Sequence, residues 1–304
     1  MNKKNFILDF INYHFTKLKR TLVIAVTNII LIYYKRRISD ELILIMKANR
    51  DYLKGVNEFL PKGEYHHVYN NYGIQNYIYN NLENEIDLFP TYTDILVLLL
   101  KELNVKDIIY LEIGTSVFKN FQQIENSLTD AILYGYDMND LIERIQKKYN
   151  LESMTEEGSN QEYFHSEEKN EIFYFKNNVL SEKGAEVFKN LLKDKINVVF
   201  SDALHSEEGI ISEYENIVRN NLSKEFIYYF DDLNMNDVQS GVEKVFKDIK
   251  IKNEKARFYS FWTYGWIGQY EKLHKIGLIT TLDINSLLKE KKLSLPLFKE
   301  VTNV

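Results

Sequence analysis

Two apolar runs of the sequence end in acidic residues. "INVVFSD" ends at Asp202, and "EFIYYFDD" ends at Asp231 and Asp232. If these runs are neighbouring strands, their ends lie about 5 Å apart, and carboxylates that meet there repel one another unless a cation neutralises them. Three carboxylates, completed by water and substrate oxygens, suit octahedral Mg²⁺ or Mn²⁺. We therefore predict Asp202, Asp231 and Asp232 as metal ligands.

Helix capping is the alternative role for these aspartates, because Asp is a favoured N-cap residue. Capping does not require two adjacent aspartates, so we favour the metal. His205 follows Asp202 at i+3 and would face the same cleft if the chain turns into a helix there. A lone histidine is usually structural, but beside a metal-bound hydroxyl it is well placed to act as a general base at neutral pH.

Strands must position these residues. Between Lys106 and about Thr281, short apolar runs alternate with amphipathic helical patterns. Strands that are apolar on both faces predict a mostly parallel sheet covered by helices on both sides. The predicted strands are 107–113, 131–137, 171–177, 196–202, 225–232 and a segment within 256–270.

Ligands bind such a sheet at the carboxyl ends of its strands. Gly114 follows the first strand, where glycine lets the backbone approach a ligand closely. Asp137 ends the second strand, where an acidic residue accepts both hydroxyls of a ribose. Asn177 and Asn178 follow the third strand. Gly114 alone indicates little, but its combination with Asp137 points to a nucleoside-type ligand.

The remaining segments predict supporting structure. "DILVLLLKELNV" (94–105) predicts a helix capped by Thr91 or Thr93. The polar insertion 150–170 predicts an exposed acidic loop in which His165 faces solvent. The adjacent His66 and His67 project in different directions on regular structure, so we expect structural or surface roles for them.

The aromatic stretch 258–270 permits two interpretations. Trp262, Tyr264 and Trp266 could stack on a flat or sugar ring. Alternatively, the stretch belongs to the final antiparallel hairpin of the sheet and packs in the core. We favour the hairpin.

Charge divides the chain. Residues 1–50 carry ten Lys or Arg and three Asp or Glu, whereas the whole chain has a net charge of −6. We predict a basic helical N-terminal region over 1–88, acting as a cover or as an oligomer- or membrane-facing arm, and a Rossmann-like domain over 89–304. The apolar run 22–34 is too short to span a bilayer. We favour a buried or partner-facing helix there over an interfacial helix attracted to anionic lipid.

Composition excludes several classes of function. The chain has no cysteine, so disulfides, thiolate nucleophiles and Cys-ligated zinc are ruled out. The acidic body would repel phosphates, so we expect no nucleic-acid partner. We predict a cytoplasmic protein without a transmembrane span that acts on a small molecule; peripheral membrane contact and homo-oligomerisation remain open alternatives.

Four motifs together carry a family resemblance: "YLEIGTSVF", "LYGYD", "VVFSDALHSEEGIISEY" and "IYYFDD". In this order and spacing they resemble class I S-adenosylmethionine-dependent methyltransferases, in particular the metal-dependent macrocin- and catechol-type O-methyltransferases. The resemblance covers about 107–281. It implies a Rossmann-like, doubly wound sheet of seven strands with an antiparallel last strand.

The resemblance implies roles for individual residues. Glu112 and Gly114 would line the methionine end of the cofactor, Asp137 would hold its ribose, and Asn178 would lie near its adenine. Thr115, Ser116 and Ser201 are assigned to the same cofactor site. Asp202 and His205 match the family's metal ligand and base, and Asp231 with Asp232 match its acidic pair, which is the most specific match.

Two departures from the family pattern concern bulk near the cofactor. Thr115, Ser116, Val117 and Phe118 follow Gly114 where the family has further glycines, and Ala203 stands where the family has glycine.

The function implied is methyl transfer to a hydroxyl of a sugar or phenol, with S-adenosylmethionine as the donor and Mg²⁺ or Mn²⁺ as the metal. A nicotinamide-dependent dehydrogenase would need a denser glycine turn than Gly114 provides. The alternatives are a non-catalytic Rossmann-like protein that binds a partner or membrane through its basic arm, and a metal-dependent glycosyltransferase.

Overall fold

The computed structural model describes residues 38–59, 90–155, 162–265, 273–289 and 298–302. The apolar run 22–34, His66, His67 and Trp266 lie outside the described residues. No helix within the described ranges is long and apolar enough to cross a membrane.

A single sheet organises the described residues. Its order is β10-β8-β9-β7-β6-β1-β2-β5-β4-β3. The strands are β1 Ile109–Ile113, β2 Ile132–Asp137, β3 Glu152–Thr155, β4 Glu162–Glu167, β5 Glu171–Lys176, β6 Ile196–Ser201, β7 Leu222–Phe230, β8 Arg257–Tyr264, β9 Leu273–Thr280 and β10 Lys299–Glu300.

Seven of these strands form the predicted unit. β5, β2, β1, β6 and β7 are parallel neighbours. β9 pairs antiparallel with both β7 and β8, so it runs against the rest. The prediction of a Rossmann-like, mostly parallel sheet with an antiparallel last strand is therefore confirmed. The interpretation of the aromatic stretch as part of the final hairpin is also confirmed, because β8 is one arm of it.

Helices cover both faces of the sheet, as the doubly wound arrangement requires. They are α1 Asp40–Phe59, α2 Tyr92–Glu102, α3 Lys119–Ser127, α4 Glu143–Lys148, α5 Glu182–Leu191, α6 Glu207–Glu213, α7 Asn236–Lys252 and α8 Asn285–Lys289. Apolar side chains of α1 to α4 and α8 pack on one face, and those of α5 to α7 pack on the other. Each large side chain buried in this way contributes about 1.5–3 kcal/mol.

Thr91 caps α2, as one of the two sequence alternatives predicts. Its hydroxyl accepts a hydrogen bond from the Asp94 backbone N–H, and the Asp94 carboxylate accepts one from the Thr91 N–H at 2.9 Å. That carboxylate, fully buried, also accepts hydrogen bonds from Asn49 at 2.8 Å and Arg50 at 3.2 Å. Two side chains of α1 therefore anchor this helix to the start of α2.

The prediction of an exposed loop over 150–170 is wrong. β3 and β4 pair antiparallel within this segment and extend the sheet beyond β5. Charged residues are tolerated there because an edge strand faces solvent on one side. His165 does not face solvent freely: its ring stacks on Phe173 with centroids 4.5 Å apart, and its Nε2 lies 2.8 Å from Glu171.

Candidate functional site

A cavity of about 500 Å³ opens at the carboxyl ends of β1, β2, β5, β6 and β7. Its volume is in the range of small-molecule sites. Eight of the eleven residues assigned to the site from sequence line it: Gly114, Ser116, Asp137, Asn178, Asp202, His205, Asp231 and Asp232. Most of the residues predicted from the carboxyl ends of the strands therefore lie in one cavity.

Gly114 joins two strand ends. Its φ is +89°, and a Cβ built on it would lie 2.3 Å from the backbone oxygen of Asp202. Its N–H donates to the Tyr136 carbonyl at 2.8 Å. Glycine is required here because a side chain would collide with the Asp202 backbone. This packing requirement holds without any ligand, whereas the sequence prediction rested on close approach of a ligand.

The glycine-poor turn after β1 keeps its largest side chain, Phe118, out of the cavity, whereas Ser116 and Val117 line it. Ser116 and Phe118 both have left-handed backbone, with φ of 48° and 63°, a conformation that costs a non-glycine residue about 1–2 kcal/mol. Phe118 is 1% exposed, and its ring packs edge-on against Phe121 at 5.2 Å. The chain thus makes the turn without further glycines by turning the Phe118 side chain into the core.

Asp137 lies at the turn and is engaged by the protein itself. Its Oδ2 accepts from the Ser116 N–H at 2.8 Å and from the Thr115 hydroxyl at 3.4 Å. Its Oδ1 accepts from the backbone and side-chain nitrogens of Asn139 at 2.9 and 2.8 Å. The carboxylate fixes the β1 turn to the end of β2 while it lines the cavity.

Glu112, Thr115 and Ser201 do not line the cavity, although all three were assigned to the cofactor site. All are buried. Glu112 accepts hydrogen bonds from the Tyr110 hydroxyl at 2.5 Å and from Asn120 at 2.8 Å. Burial raises its pKa to about 8 against the opposing effect of these hydrogen bonds.

Ser201 lies on the other side of the sheet, where it contributes to the environment of Glu213. Burial raises the pKa of Glu213 to about 7, and the hydrogen bond that the Tyr228 hydroxyl donates at 2.9 Å opposes this rise. Alternation along β6 explains the location, because neighbouring residues of a strand face opposite sides.

At the end of the cavity across from Asp137, three carboxylates lie beside two histidines. We call this region, formed by Asp202, His205, Asp231, Asp232 and His274, the acidic end. His205 Nε2 lies 3.2 Å from Asp202 Oδ1 and 3.4 Å from Asp232 Oδ2. The hydrogen bond with Asp202 raises the pKa of His205 to about 9. Burial raises the pKa of Asp202. His205 therefore lies at the acidic end, as the sequence predicts, and its raised pKa means that the ring carries a proton at neutral pH while no cation is bound.

His274 was missed by the sequence analysis. It is the second residue of β9, and its Nδ1 lies 2.7 Å from Asp231 Oδ1 and 3.3 Å from Asp232 Oδ1. Burial lowers its pKa, but the hydrogen bond and charge of Asp231 outweigh burial and raise it overall. The sequence contained a signal for this position. An antiparallel last strand begins at the edge of the sheet where the parallel strands end, so a polar residue at its beginning is a candidate for the site.

Lys119 and Asn120 also line the cavity and were missed. They begin α3, directly after the turn. Lys119 is only 7% exposed, and burial lowers its pKa well below the ordinary value. Asn120 donates to Glu112 and accepts from Thr93 at 2.7 Å. Their sequence neighbours are apolar, so neither residue stood out as a ligand-binding candidate.

The donor set at the acidic end fits a divalent cation. One oxygen each of Asp231 and Asp232 and one ring nitrogen of His274 lie within 4.8 Å of one another. Carboxylate and imidazole are ordinary ligands of divalent metals. Asp202, predicted as a ligand, is not part of this group and contacts it through His205. The rest of the cavity is bounded by the β1 turn and Asn178.

Comparisons with known proteins give structural likeness only, as no family model and no curated protein matches the chain. The O-methyltransferase TomG from Streptomyces achromogenes, involved in tomaymycin synthesis and solved with SAM, is 14% identical with a TM-score of 0.43, covering 66% of this chain and 85% of that one. The TDP-rhamnose 3'-O-methyltransferase CalS11 of calicheamicin biosynthesis is 13% identical with a TM-score of 0.38, covering 66% and 83%.

A spermidine synthase from Thermotoga maritima is similar to the same extent, with 14% identity, a TM-score of 0.37 and coverage of 67% and 66%. These likenesses extend no further than the fold. In the chain itself, the direction of the seven central strands agrees with the fold that the sequence resemblance implies. The chain has a Rossmann-like fold.

Proposed function

We propose that this protein transfers a methyl group from S-adenosylmethionine to a hydroxyl of a small molecule, a sugar or a phenol, with the assistance of a divalent cation. The observation that carries the proposal is the position of His205. Its Nε2 lies between two carboxylates at the acidic end of the cavity, 3.2 Å from Asp202 and 3.4 Å from Asp232. The residues that end β1, β2 and β5 bound the other end.

The cofactor would lie against the β1 turn, with Asp137 and Asn178 beside it, and the cation would be held by the acidic residues. When bound, S-adenosylmethionine supplies an electrophilic methyl group, and the cation lowers the pKa of an oxygen ligand. The chain must align the acceptor oxygen and remove its proton.

We assign the movement of that proton to His205. The carboxylates of Asp202 and Asp232 hold the pKa of His205 at about 9, and a cation on the acidic pair would offset their charge and lower that pKa toward neutrality. The neutral ring would then take the proton of the acceptor hydroxyl on Nε2, and Asp202 would stabilise the imidazolium that results. The cavity wall excludes bulk water from part of this region, since Asp231 and His274 are each under 10% exposed. Desolvation strengthens electrostatic interactions of this kind.

Calorimetric titration of the protein with S-adenosylhomocysteine tests the cofactor part. We expect micromolar binding by the wild type and at least tenfold weaker binding by Asp137→Ala. Asp140→Asn is the matched control, because the Asp140 side chain is 87% exposed and pairs with Lys176 on the surface. Absence of S-adenosylhomocysteine binding, or tight binding of a nucleoside diphosphate in its place, would overturn the methyltransferase proposal.

Methyl transfer to a panel of sugars and phenols tests the reaction itself. We expect transfer that a chelator lowers and that the triple variant Asp202→Ala, Asp231→Ala, Asp232→Ala abolishes. Full transfer by the triple variant would contradict the role of the acidic end.

A further inference from the structure

The position of His274 relative to the acidic pair is fixed by the backbone. The Leu233 N–H donates to the Lys275 carbonyl at 2.8 Å, and the Lys275 N–H donates to Asn234 Oδ1 at 3.3 Å. These bonds hold the turn after β7 against the beginning of β9. The His274 ring is held from behind by an edge contact with Tyr92, with centroids 6.5 Å apart.

His274 directs Nδ1 at both carboxylates of the pair, at 2.7 Å from Asp231 and 3.3 Å from Asp232. The three donor atoms lie within 4.8 Å of one another. Opposite ligands of an octahedral cation with bonds of about 2.1 Å lie about 4.2 Å apart, so rotamer adjustments of a few tenths of an ångström bring all three into range. Asp202 lies outside this group and contacts His205 instead.

We propose that His274, together with Asp231 and Asp232, holds the cation, and that the site therefore prefers a transition metal that accepts imidazole to Mg²⁺. The cation itself belongs to the function proposed above, whereas the ligand role of His274 and the metal preference go beyond it. Mg²⁺ is served by oxygen ligands and water, whereas imidazole nitrogen suits Fe²⁺, Co²⁺, Ni²⁺ and Zn²⁺.

The competing role for His274 is that of a permanent hydrogen-bond partner to Asp231. The two roles are separated by His274→Asn, because an Asn amide group lies near the position of Nδ1 and can donate the same hydrogen bond to Asp231. As a ligand, Asn offers only oxygen, which turns the site into an all-oxygen set. His274→Gln is the second variant, should the shorter side chain alter folding.

The experiment is calorimetric titration of the full-length, chelator-treated protein with Co²⁺ and with Mg²⁺. We expect the wild type to bind Co²⁺ at least 100-fold more tightly than Mg²⁺. In His274→Asn and His274→Gln, Co²⁺ affinity should fall at least tenfold while Mg²⁺ affinity stays within threefold. The visible absorption spectrum of bound Co²⁺ should change in both variants, since it reports the ligand atoms.

His165→Gln is the matched control, because His165 pairs with Glu171 where β4 lies beside β5. The Co²⁺ affinity of this variant should equal that of the wild type. Unchanged Co²⁺ affinity and spectrum in the folded His274 variants would show that His274 is only a hydrogen-bond partner and overturn the proposal, as would failure of the wild type to bind Co²⁺.

Titration with S-adenosylhomocysteine on the same samples distinguishes the two failures. If the protein binds S-adenosylhomocysteine but does not bind Co²⁺, the metal proposal is overturned and the methyl-transfer proposal stands. Co²⁺ binding that depends on His274, without S-adenosylhomocysteine binding, would do the reverse.

Discussion

The two ends of the cavity use their carboxylates differently. At one end, Asp137 accepts four hydrogen bonds from Thr115, Ser116 and Asn139, groups that do not titrate in the physiological range. At the other end, Asp231 and Asp232 both contact His274, and Asp232 also contacts His205. Histidine is a titratable partner, unlike the groups that contact Asp137.

This difference indicates that Asp137 is committed to hydrogen bonds within the protein, whereas Asp231 and Asp232 are available to a cation. Neutral donors that point at Asp137 make its charge part of the turn. The acidic pair gathers like charges that are costly to hold together, and a cation bound with His274 would neutralise them. We therefore expect substitutions at the Asp137 end to lower stability more, and substitutions at the acidic end to lower activity more.

Gly114 is where the two ends touch, so its substitution should have the largest effect. In Gly114→Ala, the added Cβ would meet the Asp202 backbone oxygen at 2.3 Å, at a φ of +89°. We expect a loss of more than about 3 kcal/mol in the free energy of unfolding, because clash and backbone strain add. Urea denaturation measures this loss.

Gly135→Ala is the control for Gly114→Ala. Its nearest contacts are side-chain atoms of Thr115 and Tyr174 at 3.1 and 3.2 Å, which can shift. Equal stability of the two variants would show that Gly114 does not bridge the strand ends.

Asp232→Asn should separate chemistry from stability. We expect kcat/KM for methyl transfer to fall at least 100-fold, which corresponds to about 2.7 kcal/mol, while the melting temperature changes little because a like-charge contact is relieved. Asp140→Asn should leave both quantities unchanged. A variant that loses stability but keeps its activity would reverse the comparison between the ends.

Asp137→Asn should show the opposite pattern. Replacing one acceptor oxygen with an amide group leaves a donor facing the Ser116 N–H or the Asn139 donors. Hydrogen bonds to charged groups contribute about 1.5–3 kcal/mol, so we expect a loss of about 2 kcal/mol in the free energy of unfolding. A change below about 0.5 kcal/mol, the range of the surface variant Asp140→Asn, would mean that the turn does not depend on this carboxylate.

Glu112 lies on β1, between the two ends, and its titration gives a smaller, pH-dependent effect. Burial raises its pKa from 4.5 to about 8. A raised pKa in the folded state gives stability that is complete below pH 4.5 and is lost as pH rises toward 8. In this window the group lowers the free energy of unfolding by up to about 1.4 kcal/mol per pH unit.

Glu112→Gln removes that slope, because an amide resembles the protonated carboxyl and does not titrate. Denaturation at several pH values between 5 and 8 in both proteins measures the difference. Parallel stability curves would show that Glu112 keeps an ordinary pKa.

The sequence predicted the central sheet closely. Apolar runs bounded by polar residues located β1, β2, β5 and β6 to within one or two residues, because a strand buried on both faces must be apolar throughout. The same runs indicated the strand ends, and therefore Asp137, Asp202, Asp231 and Asp232 in one cavity. The β3–β4 hairpin escaped, since an edge strand with an exposed face carries charges and resembles a loop.

What the sequence by itself determined was therefore the fold class and the edge of the sheet at which the polar residues gather, because both follow from local periodicity. Only the tertiary structure decided how those residues are shared. In the tertiary structure Glu112 is buried outside the cavity lining, and Asp137 is hydrogen-bonded to the β1 turn. His274, which is 42 residues after Asp232 in the sequence, contacts the acidic pair. These outcomes depend on strand order, strand direction and side-chain orientation, which no local pattern contains.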